Sequence, residues 1–161
     1  MDVPGSPRLV LQYDYASGDT DPNDTDNSRF DTLFGARRFE FGPTGIYGPF
    51  DRGNINSPGF RIEAKPSMNL IGFIGYRAAW LASRKDELTT GEIRDECGES
   101  GRFLGHQLEG RLRYKLFPGS FENEIGGAYL FKGAFLRNAP DTPSSTNVIY
   151  FYMQATLKFK F

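Results

Sequence analysis

Residues 103–117, FLGHQLEGRLRYKLF, alternate almost without a break. Leu104, His106, Leu108, Gly110, Leu112, Tyr114 and Leu116 share one parity, while Gln107, Glu109, Arg111, Arg113 and Lys115 share the other. A strand turns successive side chains to opposite faces of its sheet, so this stretch predicts one apolar wall and one charged wall.

The same period runs through the end of the chain, NVIYFYMQATLKFKF at 147–161. There Ile149, Phe151, Met153, Ala155, Leu157, Phe159 and Phe161 oppose Tyr150, Tyr152, Gln154, Thr156, Lys158 and Lys160. Four further segments alternate, at 8–17, 60–67, 70–84 and 121–136. Leu9, Leu11, Tyr13 and Tyr15 oppose Arg8, Gln12 and Asp14; Phe60, Ile62 and Ala64 oppose Arg61, Glu63 and Lys65. Leu70, Ile74, Tyr76, Trp80 and Ala82 oppose Arg77 and Ser83, although Ile71, Phe73 and Leu81 put apolar bulk on the charged side. Phe121, Ile125, Tyr129, Phe131 and Phe135 oppose Glu122, Glu124 and Lys132. Apart from Arg84, the last residue of 70–84, no Lys, Arg, Asp or Glu falls on the apolar side of these segments, in a chain that is 24% charged.

The connections alternate in length. Residues 18–59 are long and polar, PSMN at 66–69 makes a tight turn, 85–102 are long and charged, PGS at 118–120 is tight, and 137–146 are long again. Long loops at one end and short turns at the other are the pattern of a membrane barrel, whose lipid-facing band excludes charge because a Lys or Arg at the midplane costs about 2–4 kcal/mol. The predicted fold is therefore all-β, an antiparallel up-and-down transmembrane β-barrel segment of about six strands occupying 1–161, with 18–59 as a long extracellular loop. A soluble sugar- or lipid-binding barrel or sandwich also keeps charge off one face, but its strands usually run to about five or six residues, well short of these. Aromatic girdles are expected at both rims, Tyr114, Phe121, Phe159 and Phe161 beside the short turns and Tyr15, Trp80 and Phe135 beside the long loops.

Composition narrows the function classes. The longest apolar run, LIGFIGYRAAWLA at 70–82, is interrupted by Arg77 and falls short of the roughly 20 residues of a spanning helix. The opening MDVPGSPRLV has no basic segment followed by an apolar one, so an export signal is expected outside this chain. A net charge of -1 gives no general attraction to nucleic acid. The single cysteine, Cys97, reads as an unpaired loop thiol, and the single histidine, His106, lies on the apolar face with no partner for a catalytic triad. No enzymatic activity and no cofactor are expected.

The charges have a direction. Facing inward are the cations Arg8, Arg61, Lys65, Arg77, Arg111, Arg113, Lys115, Lys132, Lys158 and Lys160, against the anions Asp14, Glu63, Glu109, Glu122 and Glu124. A surplus of cations on the inner wall concentrates anions and lets Arg pair with carboxylates in a two-pronged fork. That predicts an anion conduit; charges that only pair with one another across strands would instead stiffen the wall. A general or small-carboxylate porin fits the same pattern.

Two stretches carry a resemblance to a known family. YDYASGDTDPNDTDNSRFDTLF at 13–34 and SPGFRIEAKPSMNL at 57–70, together with the closing strand, resemble the C-terminal part of the alginate export family of outer-membrane porins. The resemblance implies a location in the bacterial outer membrane, a parent barrel of roughly eighteen strands to which this chain contributes the last part, and passage of an anionic polyuronate through an arginine-rich constriction. It assigns pore-lining roles to Arg61, Arg77, Glu109, Arg111, Arg113 and Lys115, with Asp14 as an acidic partner. It also implies that the last strand, ending on Phe161, is read by the barrel-assembly machinery, and that the apolar face meets outer-membrane lipid. The stretch FGARRFEFGPTGIYGPFDRGN, 34–54, departs from the family's pattern, which leaves the substrate open.

One weaker signal remains. Asp19, Asp21, Asn23, Asp24 and Asp26 offer oxygen donors for a loop calcium ion, but the stretch lacks the Gly and Glu of an EF-hand loop.

Overall fold

The structure is a computed structural model that describes residues 5, 7–21, 24–31, 50, 52–89, 91–117, 119–140, 142–144 and 147–159. Six strands, β1 (Arg8–Ala16), β2 (Ile55–Ala64), β3 (Leu70–Trp80), β4 (Phe103–Phe117), β5 (Phe121–Lys132) and β6 (Asn147–Leu157), form one sheet in sequence order. Every neighbouring pair is antiparallel. A four-residue helix, α1 (Phe135–Asn138), lies in the connection after β5. The all-β, up-and-down reading holds. β1 and β6 do not pair with each other, so the sheet is open.

Strand limits differ from the expectation in instructive places. β2 starts at Ile55, inside what reads as loop, because the Ser-Pro-Gly at 57–59 looks like a turn. Pro58 has no N–H to give, and the Ser57 hydroxyl donates instead to the Ala78 carbonyl oxygen of β3 at 3.0 Å. β3 ends at Trp80, β5 at Lys132 and β6 at Leu157, each short of the predicted end. Beyond Lys132 the chain leaves the ladder, with the Gly133 N–H held by the Leu104 carbonyl at 2.7 Å, and turns into α1.

The two faces differ sharply in exposure. Leu11, Ile74 and Met153 on the apolar face are 78%, 72% and 76% exposed, whereas Arg77, Glu109 and Glu124 on the charged face are 4%, 7% and 6% exposed. The charged face is thus the sheltered one and the apolar face the exposed one, and inner and outer name these two faces. An exposed apolar face and a sheltered polar one fit the inside-out arrangement of a membrane barrel wall. No helix among the described residues is long and apolar enough to cross a membrane.

A β-bulge resets the parity of β4 at its long-loop end. Ala79 pairs with Gly105 but Trp80 pairs with Phe103, so Leu104 is the extra residue. Gly105 takes φ +146°, and a Cβ there would stand 2.2 Å from the Phe131 carbonyl oxygen, so only glycine fits. Leu104, expected on the outer face, is consequently buried inside, and Phe103 turns outward against Trp80 at 5.2 Å between rings. Phe135, expected in the outer girdle, is also fully buried, because α1 folds back over the inner face. Leu104, Leu130, Phe135 and Leu136 join Ile55, Ala79, Leu81 and Leu88 in an apolar core at the long-loop end. Tyr15 stays exposed on the outer face, and Phe60, Tyr76, Trp80 and Phe103 form a chain of ring contacts around His106, whose Nδ1 lies 2.6 Å from the Tyr76 hydroxyl.

The loops are tied to this core by two polar residues. Asn54, fully buried at φ 50°, accepts from the Ser83 N–H through Oδ1 at 2.6 Å and donates through Nδ2 to the Ser83 and Glu87 carbonyls at 3.0 and 3.1 Å. Asp86, also fully buried, accepts from the Asp19 N–H at 2.8 Å and from the Arg29 Nε at 2.9 Å. Both residues fasten the β1–β2 connection to the β3–β4 loop.

Candidate functional site

The inner face is a lattice whose rows are set by strand register. One row runs Gln12, Gly59, Arg77, Gln107, Leu130, Val148; the next runs Val10, Arg61, Gly75, Glu109, Ala128, Tyr150; the third runs Arg8, Glu63, Phe73, Arg111, Gly126, Tyr152. Towards the short turns follow Ile71, Arg113, Glu124, Gln154 and then Lys115, Glu122, Thr156. Long charged side chains fit this densely because small residues stand beside them. A Cβ on Gly75 would lie 3.3 Å from both Arg61 and Glu109, so Gly75 leaves room for the two long side chains that flank it.

The cations are individually braced. Arg77 is nearly fully buried, with Nη1 donating to Asp14 at 3.2 Å and to the Ser57 hydroxyl at 3.4 Å. Asp14 also accepts from Gln12 at 2.8 Å. Glu63 is shared, accepting from Arg61 at 2.7 Å and from Arg8 at 2.7 Å. Arg113 donates to Glu124 at 2.6 Å and lies 3.2 Å from Glu122. Arg111 reaches Glu124 only at 4.0 Å, and its guanidinium stands 5.0 Å from the centre of the Phe73 ring. Arg61 approaches the same ring at 5.6 Å, so Phe73 is flanked by two guanidinium groups, a cation–π arrangement.

Glu109 is buried in the middle of the wall and accepts from Gln107 at 3.1 Å. Lys115 stands at the turn end opposite Glu122. The structure therefore brings Asp14, Arg61, Arg77, Glu109, Arg111 and Arg113 onto adjacent rows of one face, with Lys115 further down the same face. Cross-strand ion pairing accounts for much of this charge, and Arg111, stacked on Phe73, is the guanidinium least engaged by carboxylates.

Phe73, Gly75, Gly126 and Tyr152 belong to this wall and were not singled out from sequence as functional. Phe73 reads there as apolar bulk on the wrong side of its strand, and it is register that puts Arg111 opposite it on one neighbour and Glu63 on the other. Tyr152 donates its hydroxyl to Glu124 at 2.6 Å, so Glu124 is held from both sides.

The acidic loop is arranged around its own backbone. Asp24 accepts from the Asp26 N–H at 2.9 Å, and the Asp19 carboxylate accepts from the Ser28 hydroxyl at 3.3 Å. Among the described residues no three His, Cys, Asp or Glu side chains gather as a metal ion would need, and Asn23 lies outside the described residues. Cys97 is a free, exposed thiol. Phe161 and Lys160 also lie outside the described residues.

No curated protein and no solved structure matches this chain. A family model described as alginate export matches residues 1–150. That match spans nearly the whole chain and agrees with an up-and-down sheet whose apolar face is the outer one, and the chain belongs to the alginate export family of outer-membrane transport channels.

Proposed function

We propose that the inner face lines a basic conduit through which an anionic polysaccharide, an alginate-like polyuronate, passes. The observation that carries this reading is the gathering of Arg61, Arg77, Arg111 and Arg113 on adjacent rows of one face, while the outer face of the six strands has no charged residue among the described residues. Guanidinium groups pair with carboxylates in a geometry that ammonium cannot reproduce. Carboxylates already in the wall hold each Arg in place, and a passing uronate exchanges with them; sites that are neither empty nor saturated allow entry and release. In this reading the outer face contacts outer-membrane lipid, and the last strand is the segment that the assembly machinery engages.

The test is the zero-current reversal potential of bilayers containing the refolded chain under a salt gradient, followed by addition of polyuronate to one side. Anion selectivity with block by polyuronate, and not by a neutral oligosaccharide, is expected. Arg111→Glu with Arg113→Glu is expected to move the reversal potential towards cation preference. Selectivity unchanged by the double substitution would sink the constriction, and conductance indifferent to polyuronate would favour a general porin. A folded, inserted chain without any conductance would overturn a conduit formed by this chain alone.

A further inference from the structure

Two inward side chains that charge alone leaves without a role are aromatic. Tyr150 and Tyr152 follow one another on the inner face of β6, with ring centres 5.8 Å apart and planes 27° apart. Opposite them on β5 stand Ala128 and Gly126, which leave the wall shallow at this point. A Cβ on Gly126 would come within 2.4 Å of the Tyr152 ring, so that ring rests on the glycine backbone. Its hydroxyl is fixed by Glu124, which Arg113 holds in turn. Backed by glycine on one side and pinned at its edge, the ring stays half-exposed beside that of Tyr150. Arg111 stands in the same row, directly across Gly126.

A flat aromatic face beside a guanidinium group complements a uronate residue in two respects. The pyranose ring offers a C–H face that packs against an aromatic ring, and the carboxylate at its edge suits arginine. A wall with cations alone would take any polyanion; an aromatic face adds attraction that depends on the sugar ring and not on its charge. We propose that Tyr150 and Tyr152 form a sugar-stacking track in the inner wall, holding the pyranose rings of the chain whose carboxylates Arg111 and Arg113 receive. This rests on the polyuronate reading above and adds the residues that make it selective for carbohydrate.

The experiment is calorimetric titration of the full chain, refolded in lipid nanodiscs, with an oligouronate of defined length and with a neutral oligosaccharide of the same length and linkage. Tyr150→Leu with Tyr152→Leu keeps apolar bulk and strand preference but removes the aromatic faces. It is expected to weaken oligouronate binding about tenfold while leaving the salt dependence of binding unchanged. Tyr150→Phe with Tyr152→Phe is expected to stay within about twofold of the parent, because the ring face is retained. Oligouronate binding unaffected by the Leu substitutions would overturn the track and leave the basic conduit standing. Loss with Phe as large as with Leu would also overturn it, showing that the Tyr152 hydroxyl on Glu124 matters and the ring face does not. Tyrosine-dependent binding of the neutral sugar alone would uphold the track and overturn the anionic reading, and binding of neither sugar would overturn both.

Discussion

Asp86 is buried, charged and surrounded by donors from two loops, Arg29 and the Asp19 N–H on one side and the Glu87 N–H and Arg94 on the other. Burial is the largest single influence and pushes its pKa up, but the Arg29 hydrogen bonds, the two backbone N–H groups and the Arg29 charge together outweigh it and bring the pKa below the ordinary value of 3.8. Arg29 is correspondingly raised, chiefly by its hydrogen bond to Asp86. A carboxylate whose folded pKa is depressed contributes stability that is present above 3.8 and is lost as pH falls from there through the folded pKa. Asp86→Asn is therefore expected to destabilise the chain at pH 7 by about 1–3 kcal/mol, and the difference from the parent should shrink steadily below pH 3.8. Urea unfolding in detergent across that range measures it; a gap independent of pH would show that the charge of Asp86 is not what ties the loops. Little of this was legible in sequence. Asp86 sits in a run of charged residues, SRKDE at 83–87, that reads as a solvated loop, and its partner Arg29 is 57 positions away.

At the scale of the element, alternation made five strands and most of a sixth readable, and the bulge in β4 was the place where it failed. Periodicity counts residues, so one extra residue exchanges inside and outside for everything on one side of it. Leu104 and Phe103 trade faces for this reason, and the local sign is Gly105, which sequence does not tell apart from Gly110, a glycine of the same strand without a bulge. Gly105→Ala forces a Cβ against the Phe131 carbonyl at a positive φ. It is expected to cost about 2–4 kcal/mol in urea unfolding, whereas Gly119→Ala, in open space at φ +91°, is expected to cost about 1 kcal/mol. Equal effects at the two sites would mean that the bulge is not held where the structure puts it. The outer face offers a second test. Ile74 is 72% exposed, so Ile74→Arg in a water-facing strand would change stability by under about 0.5 kcal/mol. In lipid it is expected to cost about 2–4 kcal/mol, read from folding into vesicles against urea.

The whole molecule is an open sheet, and its energetics follow from that. β2, β3, β4 and β5 are hydrogen-bonded on both sides, whereas among the described residues β1 and β6 each have one unpaired edge. Hydrogen exchange of the chain in detergent is expected to be slowest in β4 and its two neighbours, with β1 and β6 exchanging sooner through their free edges. Protection of β1 and β6 equal to that of β4 would show that those edges pair with further strands when the protein is assembled. Removal of detergent should cause aggregation, because Leu9, Leu11, Ile74, Ile149, Phe151 and Met153 form part of one continuous apolar face.

The sequence by itself determined the strand direction, the order of long and short connections and which face carries charge. Each of these follows from a period of two and from the cost of charge in lipid, both of which act residue by residue along the chain. Tertiary structure alone decided which charges meet. The pairing of Arg77 with Asp14, the flanking of Phe73 by Arg61 and Arg111, and the bond from Tyr152 to Glu124 depend on the register between strands. That register is set by bulges, turns and the room left by glycine, and none of these is visible in the alternation of a single strand.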